Sequence, residues 1–528
     1  MRTILTVFIV MACHLAFAAG APVPTLIVTT DAGRVQGLLD HGVSAFKGIP
    51  YAKPPIGTLR FMAPQPVEAW GSVLDATDYG ASAMQMYDRG GDTILSRQIA
   101  TVFTTESEKK SDNEDSLFLN VWTPAPDDRK RPVMVWFHGG GWAYGSGSWP
   151  VYDGTNLANK GDVVVVTVNH RLNVFGYLNL ADIGGEKYQH SGNAGLLDMV
   201  LALEWVRDNI STFCGDADNV TIMGESGGGS KVSHLMATPA ADGLFHKAII
   251  QSGPALTAIS SEAATANAEA ILAELGIQRD NLDRLQWMTA NSIMQATAAA
   301  AAKKNGRLRL APVVDGNVLP RDPFTPDAPE QSRDIPVLIG WNKDEMTIFN
   351  AGAPWFGRMT EDQMKQQLGG MYGERSAEIV AAYQQAYPDY TPTYLFNMIT
   401  GDSRMALGSV TLADRKAKQK APVFMYYLVW ETPVGDGVFK SPHTLDMPFM
   451  FNNVDKSVAI TGESTEARIL ENQMSSSWIA FARTGDPSNP TVGSWAPYSA
   501  KQRATMVFDV NPRIENDPKG ELLELLVQ

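Results

Sequence analysis

The sequence predicts an α/β protein built on a large, mostly parallel central sheet with helices on both faces. Short apolar runs recur at 133–137, 163–168, 220–223, 248–250, 335–339 and 423–429, and near-continuous Val/Ile/Leu runs of this length suit strands buried on both faces. Between them lie segments of helical spacing. The clearest is 196–209, where Leu196, Met199, Val200, Leu203 and Val206 recur behind Gly195. Strands alternating with helices in this way are the pattern of parallel strand–helix–strand units.

Taken in order, the chain opens on a segment that reads as a removable export signal. Arg2 gives a positive start, residues 4–12 are apolar, and Ala16-Phe17-Ala18 is a small-x-small cleavage site. Residues 1–18 are therefore predicted to be a signal peptide, on a run too short to cross a bilayer. A lipid anchor at Cys13 is the minor alternative, weakened by Met11 in the cleavage box, and no later stretch reads as a transmembrane helix. Residues 26–37 form a predicted hairpin, β-branched runs around Asp31-Ala32-Gly33, and 117–122 is a further strand. The 81–113 segment runs into the polar stretch 106–114 and is expected to be a surface loop. Between 254–333 and again between 357–420 the sequence turns helical and Ala-rich, giving helical insertions between core strands, with surface packing favoured over a substrate-gating cap.

Composition narrows the function. Lys and Arg total 43 against 57 Asp and Glu, a net charge of −14, so there is no basic field for a nucleic acid backbone. The 2 cysteines are Cys13 and Cys214. Removing the signal leaves a lone thiol and no internal disulfide, so stability rests on packing.

Gly224-Glu225-Ser226-Gly227-Gly228 matches G-x-S-x-G. The strand 220–223 leads into it and 230–235 can begin a helix after it, the strand-turn-helix setting of a nucleophile elbow. A serine needs a base and an orienting acid, and in this architecture they follow in the order Ser, acid, His. Of the 8 histidines, those before Ser226 break the order, and His234 and His246 follow too closely for intervening strands to carry the acid. That leaves His443, in the Pro-bounded loop 441–448. The strand 335–339 runs into Asp344-Glu345, either of which suits the acid, while Asp446 is a local rival that breaks the order. His138-Gly139-Gly140-Gly141-Trp142 follows the strand 133–137 and is an HGGG-type turn, whose backbone N–H groups suit a developing oxyanion. One sheet must gather parts spread from 138 to 443, so 19–528 is predicted to be a single domain.

These residues resemble the type-B carboxylesterases, the carboxylesterase and cholinesterase family of the α/β-hydrolase fold. The matching motifs are Phe46 to Ala52 with Arg60-Phe61, Glu114 to Asn120, His138 to Trp142, Asn169-His170-Arg171-Leu172, Gly192 to Asp198, the elbow, Asp344-Glu345 and His443. The resemblance implies Ser226 as nucleophile, His443 as general base and acid, Glu345 as the triad acid, and the amides of Gly140, Gly141 and Gly227 as oxyanion donors. It implies hydrolysis of a small-molecule ester through an acyl-enzyme, with no metal and no cofactor, and the aromatic residues near the motifs suggest an apolar or aromatic ester. A catalytically inactive binding protein is the alternative of another class; amide or thioester cleavage would use the same groups.

Three departures from the family are visible. Ser116 stands where the family often has a cysteine paired with one near Ala83, so the 81–113 loop is expected to lack its staple and move more. Met346 replaces a usual glycine after Glu345. Gly227 replaces a common alanine, a change expected to keep the amide donor and relax the elbow. Trp142, Tyr144, Trp149, Trp341, Phe349, Trp355, Phe449 and Phe451 surround the motifs, and fewer than half are expected to line the substrate cleft.

Overall fold

The computed structural model describes residues 22–86, 101–103, 112–124 and 127–527. The segment read as a signal peptide, with Cys13, lies outside the described residues, as does most of 81–113. One sheet of 12 strands dominates. In chain order these are β1 (Val23–Pro24), β2 (Leu38–Asp40), β3 (Val43–Pro50), β4 (Phe118–Thr123), β5 (Arg131–Phe137), β6 (Val164–Val168), β7 (Gly215–Glu225), β8 (Lys247–Gln251), β9 (Val337–Asn342), β10 (Val423–Leu428), β11 (Ala504–Phe508) and β12 (Arg513–Asn516). In space the order is β1-β2-β3-β4-β6-β5-β7-β8-β9-β10-β11-β12. From β6 to β11 every pairing is parallel; the pairings at both edges are antiparallel. Each apolar run singled out in the sequence is one of the parallel strands.

The continuity of those runs has a simple cause. Alternate residues of a strand face opposite sides, and here both sides are covered. Val133, Val135 and Phe137 of β5 enter one core cluster with Leu196, Met199, Leu203 and Val206 of helix α1 (Ala194–Asn209). Met134 and Trp136 enter the other, with Leu470, Met474, Trp478 and Phe481 of the helix Thr465–Thr484. That second helix is 20 residues long and is capped by Ser464, whose side chain accepts from Ala467 N. Its periodicity is blurred in the sequence because Glu471, Gln473, Ser475 and Ser477 are also buried, each with a hydrogen-bonding partner.

The predicted hairpin forms, with Val28 paired to Val35. Helices Ser261–Leu275 and Ala290–Lys303 pack on each other, and helices Glu361–Tyr372, Ser376–Ala386, Pro392–Gly401 and Leu407–Lys416 lie between β9 and β10. Cys214 is buried, and burial pushes its thiol up. Among the described residues no helix is long and apolar enough to cross a membrane.

The ends of the 81–113 segment are held without a disulfide. Asn113 N donates to Ser82 O at 2.9 Å, Ala83 and Asn113 form a β-bridge, and Ser82 Oγ reaches Ser146 Oγ at 3.0 Å. Next to them Arg60 grips Glu114 with Nε and Nη2 at 2.6 and 2.5 Å. Its Nη1 donates to the carbonyls of Leu285 and Met288 at 2.5 and 2.8 Å. Two of the family-like motif residues are thus partners in one largely buried ion pair. Arg171 and Asp198 form another, with Nη2 2.6 Å from Oδ1 and Asp198 fully buried.

Candidate active site

The site lies where the winding of the sheet reverses. From β5 the chain passes to β6 on one side, and β7 returns on the other, so the loops leaving β5 and β7 diverge and open a crevice at the strand carboxyl ends. The register pairs Phe137 with Gly224, which brings the turn 138–142 beside the elbow.

Strand β7 ends at Glu225 and helix α2 (Gly227–Leu235) begins at Gly227, three residues earlier than the 230–235 reading placed it. Ser226 alone makes the turn, at φ 57° and ψ −122°. A non-glycine residue keeps such a conformation only where its surroundings impose it, at about 1–3 kcal/mol. Here Ser226 N donates to Gln251 O at 2.8 Å and Ser230 N to Ser226 O at 3.1 Å. Strand and helix cross so closely that a Cβ on Gly224 would fall 2.4 Å from Gly228 C. The Gly227 amide sits in the first turn of α2, where N–H groups lack intrahelical acceptors and the helix end is electropositive.

The turn after β5 places Gly140 and Gly141 at φ 82° and 61°. Gly140 O accepts from Ala143 N and Tyr144 N at 3.3 and 3.2 Å. A Cβ on Gly227 would fall 2.3 Å from Gly141 N, so Gly141 and Gly227 approach each other backbone to backbone. This corrects the expectation that Gly227 relaxes the elbow. The space an alanine methyl would fill is taken by the Gly141 backbone, and glycine at 227 is a fitting requirement.

Past β9, geometry separates the three carboxylates. Glu345 Oε2 lies 2.5 Å from His443 Nδ1, and its Oε1 accepts from Asn342 N at 2.7 Å. Asp344 instead ties the two loops, accepting from Ser441 N at 3.2 Å while its own amide donates to Ser441 O at 2.8 Å; burial pushes its carboxyl up to about 6. Asp446 is engaged by Tyr426 Oη at 2.6 Å and Gln251 Nε2 at 2.7 Å. Asn342 Nδ2 holds the histidine loop through Pro442 O at 2.8 Å. His443 is thereby fixed, buried to 2% exposure.

The residue that sequence reasoning missed is Glu225. Its Oε1 is 3.1 Å from His443 Nε2, although neither atom makes a hydrogen bond among the described residues. Burial pushes the Glu225 carboxyl up to about 8, with His443 opposing and Asp446 and Glu345 adding. For His443, burial alone would lower the imidazole, but the carboxylates of Glu225 and Glu345 override it and raise it to about 9. Only its place beside the serine hinted at this role, since nothing in the string shows which way a strand-terminal side chain turns.

Among the aromatics, Trp341, Phe449 and Phe451 are core residues. Trp142 packs on Tyr177 and His234. Phe349 is set against the site: its ring centroid is 5.0 Å from that of His443 and the residue is 51% exposed.

The sequence profile described as the carboxylesterase family matches residues 24–525. A para-nitrobenzyl esterase of Bacillus subtilis (strain 168) is 40% identical over 501 residues, covering 94% of this chain and 97% of that protein. A crystal structure of a Geobacillus stearothermophilus carboxylesterase superposes with a TM-score of 0.81 at 37% identity, covering 95% of this chain and 100% of the other. An esterase from the anaerobe Clostridium hathewayi, described as able to hydrolyse aliphatic aromatic polyesters, superposes with a TM-score of 0.80 at 33% identity, over 95% and 98% of the two chains.

Proposed function

The chain belongs to the carboxylesterase family, has the α/β-hydrolase fold and is a carboxylic ester hydrolase, and from that premise we propose that Ser226, His443 and Glu345 are its catalytic triad. The observation that carries the assignment is the 2.5 Å contact of Glu345 Oε2 with His443 Nδ1, at the strand ends from which the Ser226 elbow projects. In the reaction, His443 Nε2 takes the Ser226 proton as Oγ attacks the ester carbonyl. Glu345 fixes the ring and stabilises the imidazolium. The oxyanion that forms is met by the amides of Gly140, Gly141 and Gly227, a preorganised set that needs no solvent rearrangement. His443 then protonates the leaving alcohol, and water activated by the same imidazole releases the acid from the acyl-enzyme.

Ser226→Ala tests this directly. Hydrolysis of p-nitrophenyl butyrate should fall by at least about 10⁴-fold, and a labelled fluorophosphonate should cease to attach. Activity within about tenfold of the parent sinks the triad.

Apolar or aromatic esters are the substrate class this reading favours, supported by the exposed Phe349 ring beside His443. The chain is further read as exported, on the charge, apolar run and Ala16-Phe17-Ala18 site of residues 1–18. Amino-terminal sequencing of the mature protein tests this, with a start at Ala19 expected and a start at Met1 against it.

A further inference from the structure

Lys231 is fully buried on α2, five residues after the elbow serine. Its Nζ donates to His138 O at 2.7 Å, lies 3.5 Å from Gly139 O, and stands 5.5 Å from the centroid of the Trp142 ring. No carboxylate pairs with it among the described residues, and burial pushes its ammonium well below the usual lysine range. A neutral amine retains two N–H donors, which suits a group whose neighbours are two carbonyls. Burying a lysine without a counter-charge is costly, so a structural strut is better served by an apolar side chain.

We propose that Lys231 is a positioning residue for the oxyanion turn, holding the His138 and Gly139 carbonyls so that the turn is drawn against the elbow, with Gly227 as the residue that permits the approach. The inference rests on the triad and oxyanion reading above. Its physical basis is the planarity of the peptide unit. Each unit is trans, so its carbonyl and the following N–H point in opposite directions. Anchoring Gly139 O on one side of the turn therefore turns the Gly140 N–H toward the other. Gly139 O has two anchors, Lys231 Nζ and its neighbour His138 Nδ1 at 2.9 Å. The next unit is pinned in the same manner, its Gly140 O receiving Ala143 N and Tyr144 N, which fixes the Gly141 N–H. The complementary feature lies on the elbow. With the turn held this close, Gly141 N occupies a point 2.3 Å from where a Gly227 Cβ would be, so lysine at 231 and glycine at 227 are two halves of one arrangement.

The test uses the full-length enzyme as parent, Lys231→Met, which keeps the length and removes the donors, Gly227→Ala, and the double variant. Readouts are kcat and KM for p-nitrophenyl butyrate, the Ki of an aliphatic trifluoromethyl ketone, whose adduct with Ser226 places an oxyanion in the same donors, and the melting temperature. Lys231→Met is expected to lower kcat at least about tenfold with KM within about threefold, and to raise the ketone Ki by the same factor as kcat/KM falls. Gly227→Ala is expected to lower kcat by at least about tenfold. In the double variant the loss should be smaller than the product of the single losses, because a released turn can make room for the methyl.

A Lys231→Met enzyme that melts earlier but keeps kcat and Ki within about twofold overturns the proposal, since it marks a strut. Should Lys231→Met fail to fold, Gly227→Ala decides: unchanged kcat there shows that the turn is not held against the elbow. Retained activity in Ser226→Ala would sink the triad reading instead, whatever Lys231 does.

Discussion

The carboxylate of Glu225 lies 3.1 Å from Nε2 of His443, the nitrogen that must receive the serine proton in the proposed mechanism. The residue before the nucleophile thus acts on the base from the side opposite Glu345, and His443 stands between two acids. Because His443 works as a base only when neutral, and its pKa is raised to about 9, kcat/KM should climb through neutral pH into the alkaline range.

Glu225→Gln removes one of the charges that raise the imidazole, so the acidic limb of kcat/KM should move to lower pH. A limb that stays in place or moves upward contradicts the contact. Stability carries a second signature. Glu225 is raised from 4.5 to about 8, so over that interval the folded protein keeps a proton that the unfolded chain gives up, and stability falls as pH rises. The melting-temperature gain of Glu225→Gln over the parent should accordingly be larger at about pH 8.5 than at about pH 5.

Glu345→Gln and Asp446→Asn separate the acid from its rival. The first should lower kcat by about 10³–10⁴-fold with little change in KM, as losing the orienting acid of a triad does. The second touches Tyr426 and Gln251 rather than the imidazole, and should keep kcat within about tenfold while lowering the melting temperature. Steady-state kinetics on both variants would reveal a reversed pattern.

Asp198→Ala leaves the buried Arg171 guanidinium without its carboxylate. A loss of about 3–5 kcal/mol in unfolding free energy is expected in chemical denaturation. Replacing both partners with apolar residues should cost less, and equal losses would mean that charge desolvation is not the cause.

Phe349→Ala should raise KM for phenyl and benzyl esters by about threefold to tenfold and leave acetate esters of small alcohols nearly unchanged. A p-nitrophenyl series of increasing acyl length, run beside an alcohol series, shows which side of the ester meets the ring. Equal effects on every ester would place Phe349 outside the substrate path.

Much of the architecture was legible in the string because the forces that set it are local or periodic. The run 133–137 is apolar at every position and 163–168 at all but Thr167, and that alone states that both sheet faces are covered. The elbow and the HGGG turn are consecutive residues whose backbone demands appear as glycines in place. Chain order left His443 as the base, since the other histidines stand before Ser226 or too close behind it. Resemblance to the family then selected Glu345, where spacing had left it beside Asp344.

What only the tertiary structure decided are relations between residues far apart in sequence or dependent on side-chain direction. Glu345 and His443 are 98 residues apart, and the contact exists because Asn342 and Ser441 stitch the two loops together. Glu225 faces His443, Lys231 reaches back to His138, and Arg60 grips Glu114 beside the loop that has no disulfide. Gly227, read in sequence as a relaxation, proved to be a close fit against Gly141. Sequence encodes which residues are present and in what order. Burial, direction and distance arise only when the sheet brings separate strand ends to one crevice, and those three quantities set the chemistry of the site.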